Sequence, residues 1–387
     1  MAGQTKTKRR SPEAAARAGV SGHRIARVDT FCLRLPYKGE VEFATVKQSS
    51  AEYVILVLTL DNGVEGIAEA VCRPEFSGED ARAVSYAIET FFKADLIDAD
   101  PFDHLRILAR LKRFKGINAA RSLVDVALWD IRGKLMDQPV WRLLGGGPLR
   151  PVPLTWVAHG NDRKAQVEQA CRMAEERGYR GSKLKTWKRS REDVLLVRDV
   201  RKRLGDGAII YVDCNGLYSE TEVRSILTGI AEYGVSFIED PCRVTEPGRL
   251  VELARFLPVA VLGDDVCTTL EQAQTMIQAR AVGAVSVKLR RTGLTDSLKV
   301  VAMCEAAGIP AVIGTDSESR LGAQVRAHMR MSIPSMEPWP METHFFDKLA
   351  ADVFSGEFGF ADGQLTPSDA PGFGASIDRA ALEKYAF

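Results

Sequence analysis

The sequence predicts an α/β protein built around a parallel strand–helix barrel, with a smaller α+β unit in front of it. Three observations carry that expectation. Five charged residues, Lys185, Asp213, Glu239, Asp264 and Lys288, each close a short aliphatic or β-branched run, and successive gaps between them are 28, 26, 25 and 24 residues. Each run is followed by a segment with helical periodicity, and one strand, one helix and two loops take about this many residues in a barrel of typical length. Before residue 138 the rhythm differs: strand-like runs around a tight turn come first, and helices follow without alternation.

In the leading unit, residues 23–137, Arg24 to Leu35 and Ala51 to Leu60 read as strands, and Asp61-Asn62-Gly63 is a hairpin turn into Val64 to Ala70. The polar, glycine-containing stretch Pro36 to Ser50 reads as a movable loop. The clearest helix is Ala119 to Leu135, where Leu123, Ala127, Ile131 and Leu135 share a face. Pro139 and the run Gly145-Gly146-Gly147 end the helical region. His104 and His328 read as surface or packing residues, and Trp129 and Trp141 as core.

The barrel is expected over 138–351. Its strands are Leu154 to Val157, Gly181 to Lys185, Ile209 to Asp213, Val235 to Glu239, Val259 to Asp264, Val285 to Lys288 and Pro310 to Thr315. Ser219 with Glu222, and Thr268 with Glu271, read as capping boxes that start helices. The eighth strand has no clear run; the Pro-rich stretch from Ser335 to Phe346 supplies or replaces it. Residues 352–387 lack the rhythm and are expected to pack back on the leading unit, making it a capping domain.

Composition narrows the function classes. Lys plus Arg number 52 against 51 Asp plus Glu, so no polyanionic partner is implied for the whole molecule. No stretch approaches the roughly 18 apolar residues of a membrane span. Seven cysteines without a C-x-x-C pair read as reduced thiols of a cytoplasmic protein. Residues 1–22 are basic and poor in large apolar side chains, a disordered tail by composition. Arg9-Arg10 is followed by Ser-Pro-Glu-Ala-Ala-Ala-Arg rather than an apolar core, which argues against an export signal. The tail has no interleaved aromatics, which argues against nucleic acid.

Residues at the C-terminal ends of barrel strands converge on one mouth. Asp213, Glu239 and Asp264 on adjacent strands are the ligand set of a hard cation such as Mg²⁺, leaving positions for water and substrate oxygens. Lys185 and Lys288 flank that set and can move protons, once a neighbouring ammonium and a dication lower their affinity for the proton. Lys183 lies two residues from Lys185 and so on the same strand face; it is expected to depress its neighbour. The cation would bind a substrate carboxylate and hold the enediolate formed when the α-proton leaves. A single acid at a strand end is more often a helix cap or a surface ion pair. Five such residues at near-constant spacing are hard to obtain that way.

The pattern resembles the enolase superfamily, and within it the muconate lactonizing enzyme (muconate cycloisomerase) subgroup. The likeness rests on Lys183-Leu-Lys185, on the acids of the next three strands, on Lys288 with Arg291-Thr-Gly-Leu, and on Leu123-Val-Asp-Val-Ala-Leu-Trp-Asp-Ile-Arg-Gly-Lys, Leu143-Leu-Gly-Gly, Ile238-Glu-Asp-Pro and Asp362-Gly-Gln-Leu. The mandelate racemase subgroup places a His–Asp dyad beyond the fifth strand, which is absent here. The resemblance implies a modified TIM barrel with an α+β cap. It implies Asp213, Glu239 and Asp264 as ligands of Mg²⁺, or Mn²⁺ in its place, Lys185 and Lys288 as the acid/base pair on opposite faces, and Asn215 as an orienting residue. It also implies a small carboxylate substrate and a homo-oligomer. Lysine-mediated proton transfer beside Mg²⁺ is known chemistry of this superfamily. Asp265 stands where the family often has Glu, as support for Lys288. Cycloisomerisation is the favoured reaction, with racemisation or epimerisation of amino-acid, betaine or N-acylamino-acid substrates, or dehydration, as the alternative; a non-catalytic binding protein is the remote one. Asp316, Glu318 and Arg320 after the seventh strand are expected to face substrate. Arg320, or Lys47 in the Pro36–Ser50 loop, is expected to receive the second carboxylate of a diacid.

Overall fold

The computed structural model describes residues 22–43, 46–160, 162–243 and 246–387 of the chain. The basic tail thus falls, Gly22 apart, outside the described residues. The leading unit opens with β1 (Ile25–Phe43) antiparallel to β2 (Val46–Leu60), and β2 antiparallel to β3 (Glu65–Cys72). The turn between the last two forms at Asp61-Asn62-Gly63, with Gly63 at φ 83°, the left-handed region that glycine enters without cost. The expected loop at 36–50 is instead largely strand: Val41 pairs with Gln48 and Glu42 with Lys47, so the hairpin runs on as a two-stranded ribbon. Lys38, Gly39 and Glu40 of the ribbon are exposed, whereas Tyr37 and Val41 are buried against the core.

A short helix, α1 (Pro74–Ser77), leaves the end of β3. The long helix α2 (Asn118–Leu135) packs on the sheet. The approach is close at Gly66, where a Cβ would meet the Ala127 carbonyl oxygen at 2.4 Å. Leu123, Ala127 and Ile131 are fully buried there. His104 is buried, its Nε2 bonded to Asp125 at 2.7 Å, and His328 is buried too. Trp141 is core, and Trp129 packs partly buried against it.

The barrel runs β4 (Val152–Ala158), α3 (Arg163–Arg177), β5 (Gly181–Lys185), α4 (Arg191–Leu204), β6 (Ile209–Asp213), β7 (Ile238–Glu239), β8 (Val261–Gly263), α5 (Leu270–Gln278), β9 (Ala284–Val287), α6 (Leu289–Ala307), β10 (Ala311–Ile313), α7 (Arg320–Ser332) and β11 (Met341–Glu342). Strands β4 to β10 pair in parallel in sequence order. The unmarked eighth strand is β11, parallel to β4 with Met341 opposite Leu154. Ser219 and Glu222 form the expected capping box. The second box is shifted: Thr269, not Thr268, caps α5, its Oγ1 accepting from the Gln272 amide at 3.1 Å.

Alternation along the strands stacks two layers inside the barrel. Tyr211, Phe237 and Leu262 stand two residues below Asp213, Glu239 and Asp264, and form an apolar plug with Ala284 and Val312. The acids therefore sit on a dry floor. After residue 352 the chain is divided between the two units: β12 (Gln364–Thr366) adds antiparallel to β4, while α8 (Arg379–Tyr385) lies against β1.

Candidate active site

A cavity of about 400 Å³ opens at the C-terminal ends of the strands, lined by Lys185, Asp213, Asp264 and Lys288 from the barrel and by Arg73 and Phe76 from the cap. Lys185, the last residue of β5, donates from Nζ to Asp213 Oδ2 at 2.6 Å and to Asn215 Oδ1 at 2.9 Å. Asp213, the last residue of β6, also accepts from the Asn215 amide at 2.9 Å. Asn215 holds φ 44°, a left-handed conformation that Asn tolerates better than most residues. Across the cavity Lys288 Nζ donates to Asp264 Oδ2 at 2.6 Å, and Arg291 Nη1 to Asp264 Oδ1 at 3.0 Å.

Lys183 has the strand face that its spacing suggested but different partners. It does share a face with Lys185, but one layer lower, 3% exposed, with Nζ 2.8 Å from Glu239 Oε1, 3.1 Å from Asp213 Oδ2 and 3.1 Å from Glu342 Oε2. Burial alone would push its ammonium down, but Asp213, Glu239 and Glu342 outweigh burial and hold it well above the ordinary value. Lys183 therefore acts as a counter-ion beneath the acids rather than as an ammonium whose charge is spent on Lys185. Tyr211 closes the group, its hydroxyl donating to Glu342 Oε1 at 2.5 Å.

The acids titrate apart. Burial favours the neutral form of Asp213, yet Lys183 and Lys185 hold it below the usual carboxylate range. Asp264 is likewise lowered, because Arg291 and Lys288 outweigh its burial. Glu239 is raised well above its ordinary value by burial and by Asp213. Lys288 is raised, since Asp264 outweighs the effect of burial.

Several expectations are corrected. Arg320 is exposed at the start of α7 with its guanidinium 5.7 Å from the Phe358 ring, outside the cavity lining. Lys47 is exposed and sits 3.6 Å from Glu40 on the ribbon. Glu318 is turned away from the cavity: Arg326 pairs with it, and it accepts from Thr315 Oγ1 at 2.8 Å. Asp316 does line the cavity, 4.0 Å from Lys288 Nζ and 3.5 Å from Arg290 Nε. Asp265 supports Arg291, at 3.0 Å, instead of Lys288.

Glu342, Asp240, Arg73, Arg290, Arg291 and His159 were missed as site residues. Asp240 and Arg291 lie inside stretches already quoted, so their motifs could have flagged them. Glu342 has no such signal, because its strand is two residues long.

Whether a cation fits is decided by the donor set. Among the described residues, oxygens of Asp240, Asp264 and Asp265 lie within 4.8 Å of one another, unlike the predicted trio. Both oxygens of Asp240, however, accept from backbone amides, those of Asp264 at 3.0 Å and Asp265 at 2.8 Å, and Asp265 is held by Arg291. Asp240 is thus a clamp on the loop after β8, and burial pushes its carboxyl up to about 8. Glu239 Oε2 is buried and, although Lys183 Nζ is 2.7 Å away, receives no aligned hydrogen bond. Carboxylates at three consecutive strand ends, one with an oxygen left over, suit a hard dication.

Comparison with known proteins places this geometry. Residues 26–145 match the family model described as mandelate racemase / muconate lactonizing enzyme, N-terminal domain, and residues 165–381 match enolase C-terminal domain-like. A chloromuconate cycloisomerase of Cupriavidus necator is 30% identical over 302 residues, 77% of this chain and 81% of the relative. The chain belongs to the enolase superfamily, in its muconate lactonizing enzyme subgroup. A solved muconate lactonizing enzyme from Pseudomonas fluorescens, complexed with muconolactone, superposes with TM-score 0.88 at 25% identity, covering 94% of this chain and 99% of that one. An N-succinyl-L-Arg/Lys racemase of Bacillus cereus is 24% identical over 312 residues, 80% of this chain and 84% of the relative. As a member of this subgroup the protein is an enzyme of the isomerase class with a TIM-barrel catalytic domain and a cap.

Proposed function

We propose that the protein moves a proton at the carbon next to a carboxylate in a Mg²⁺-dependent reaction, and that its substrate is a muconate-type diacid closed to a lactone. The observation that carries this reading is the pair of cavity-lining ammonium groups, Lys185 on Asp213 and Lys288 beyond Asp264. They come from the second and sixth of eight strands, half a turn apart around the mouth, and the acids of strands three, four and five fill the arc between them. A planar carbon skeleton held over that arc would present one face to each lysine.

In this reading Asp213, Glu239 and Asp264 hold Mg²⁺, or Mn²⁺ in its place. The dication supplies positive charge for the substrate carboxylate and competes with both ammonium groups for their acids, which favours the neutral amine. Lys185 and Lys288 hold or release a proton at Nζ, Asn215 fixes the direction of Lys185, and Arg291 fixes Asp264. Lys183 supplies counter-charge to Asp213 and Glu239 from below. For cycloisomerisation, one ammonium delivers its proton to the enolate carbon after ring closure. Seven unpaired cysteines, six of them buried, support a cytoplasmic setting.

The test is turnover of cis,cis-muconate with Mg²⁺ in D₂O, followed by NMR. One solvent deuteron should appear in the lactone, and no lactone or no deuteron would sink the reading. A second reading, racemisation of N-acylamino acids, is favoured by the racemase relative and by a lysine on each face. Exchange and inversion of N-succinyl amino acids, with muconate untouched, would establish it instead.

A further inference from the structure

We infer that Arg73, held by Tyr37 on the capping sheet, is the seat of a second carboxylate of the substrate. The inference deepens the diacid reading above and rests on it. Arg73 follows the last residue of β3, is 7% exposed, and lines the same cavity as Lys185 and Lys288. Its guanidinium carbon is 5.8 Å from the centroid of the Phe345 ring. Phe345 follows β11, the eighth barrel strand, and His159, also in the lining, follows β4, the first. Strand eight is half a turn from strand four, whose end is Glu239. A substrate with one carboxylate over the arc of acids therefore carries its other end across the mouth to Phe345 and Arg73. Val71, Val157 and Phe345 give the lining between them an apolar stretch for a short carbon chain.

The chemistry of this wall suits an anion. A guanidinium offers five donors in a planar fork that matches a carboxylate. Tyr37 Oη accepts from Nη2 at 2.5 Å and so helps to fix the plane of the fork. Behind the same wall is Lys348, with Nζ 5.0 Å from the Phe345 ring centroid and 5.1 Å from that of Trp156. Burial, with Arg73 close by, pushes its ammonium down to about 7, as expected of a positive group short of counter-charge. Asp347 is turned to Lys38 and Arg177, at 3.6 and 3.8 Å. Glu75 lines the cavity but is exposed. The acids on the other side of the mouth are matched by Lys185, Lys288 and Arg291, whereas this wall carries Arg73 and Lys348.

The test uses the full chain loaded with Mg²⁺ and two unreactive six-carbon probes, adipate and hexanoate, titrated by calorimetry. Wild type should bind adipate more tightly than hexanoate. Arg73→Met should weaken adipate by about 10- to 100-fold, to the level of hexanoate, and leave hexanoate nearly unchanged. Arg73→Lys keeps the charge without the fork and should lose part of that gain, as should Tyr37→Phe. Equal binding of the two probes by wild type would overturn the assignment. So would an unchanged adipate-to-hexanoate ratio in Arg73→Lys or Arg73→Met. If neither acid binds the Mg²⁺-loaded protein, the site reading itself fails; if hexanoate binds and adipate gains nothing, only the role of Arg73 fails.

Discussion

Gly314 offers a way to disturb one lysine without touching a charged group. It follows β10 with a backbone conformation open to any residue, so an alanine there meets no torsional penalty. A Cβ at this position would stand 2.9 Å from Lys288 Cε, 3.2 Å from its Cγ and 2.3 Å from Ser286 Oγ. Carbon pairs rest at about 3.5–4.0 Å, so Cε has to withdraw by roughly 0.6–1 Å. Nζ moves with it, and its 2.6 Å bond to Asp264 loses alignment. A misplacement near 1 Å costs about 100-fold in rate, and overpacking a buried site costs about 1–3 kcal/mol of stability. Gly314→Ala should therefore slow deuterium exchange on the Lys288 face by about 100-fold, and Lys185, on the far side of the barrel, should keep exchange on its own face. The assay is stereospecific α-proton exchange by NMR, with a thermal melt to confirm folding. Full exchange on both faces, or equal loss on both, would refute the assignment of Lys288 and its packing against Gly314.

Other perturbations separate the remaining parts. Asp213→Asn, Glu239→Gln and Asp264→Asn should each weaken Mg²⁺ binding by about tenfold or more in calorimetry, the loss that even an outer-shell partner brings when removed. Lys185→Ala and Lys288→Ala should each abolish exchange on one face, with opposite stereochemistry. Arg320→Met should leave KM for a diacid unchanged, because that side chain is exposed and outside the cavity. Glu69 is part-buried on β3 against the loop after β10, accepting from the Ser319 amide at 2.9 Å, and desolvation, with Asp352 and Glu318 adding to it, pushes its carboxyl up to about 8. A raised carboxyl binds its proton more tightly folded than unfolded, so wild type should lose stability as pH rises from about 4.5 toward 8. Glu69→Gln should flatten that part of the melting-temperature profile, and a profile unchanged by the substitution would refute the shift.

What the sequence made legible, and what it hid, divides along the range of the interactions involved. A barrel is one supersecondary unit repeated, so Lys185, Asp213, Glu239, Asp264 and Lys288 announce themselves by spacing alone. Each side chain's height follows from two-residue alternation, which is why Lys183 was correctly put on the face of Lys185. The electrostatic consequence did not follow, because it is set by Glu342, 159 residues away on a two-residue strand. Arg320 was misjudged for a similar reason. Thr315, Asp316 and Ser317 line the cavity, but the chain has left it by Glu318 and turns into α7 at Arg320, which is exposed. Arg73 was invisible because its importance comes from the cap closing over strands eight and one, a contact between units that no local pattern encodes. The three strand-end acids and the lysines are thus properties of the repeat, whereas the seat proposed for the far end of the substrate comes from the cap and from strand eight. Substrate choice within this subgroup should accordingly be altered more readily at Arg73 and Phe345 than at any residue the spacing reveals, and transplanting those two positions is the direct way to change it.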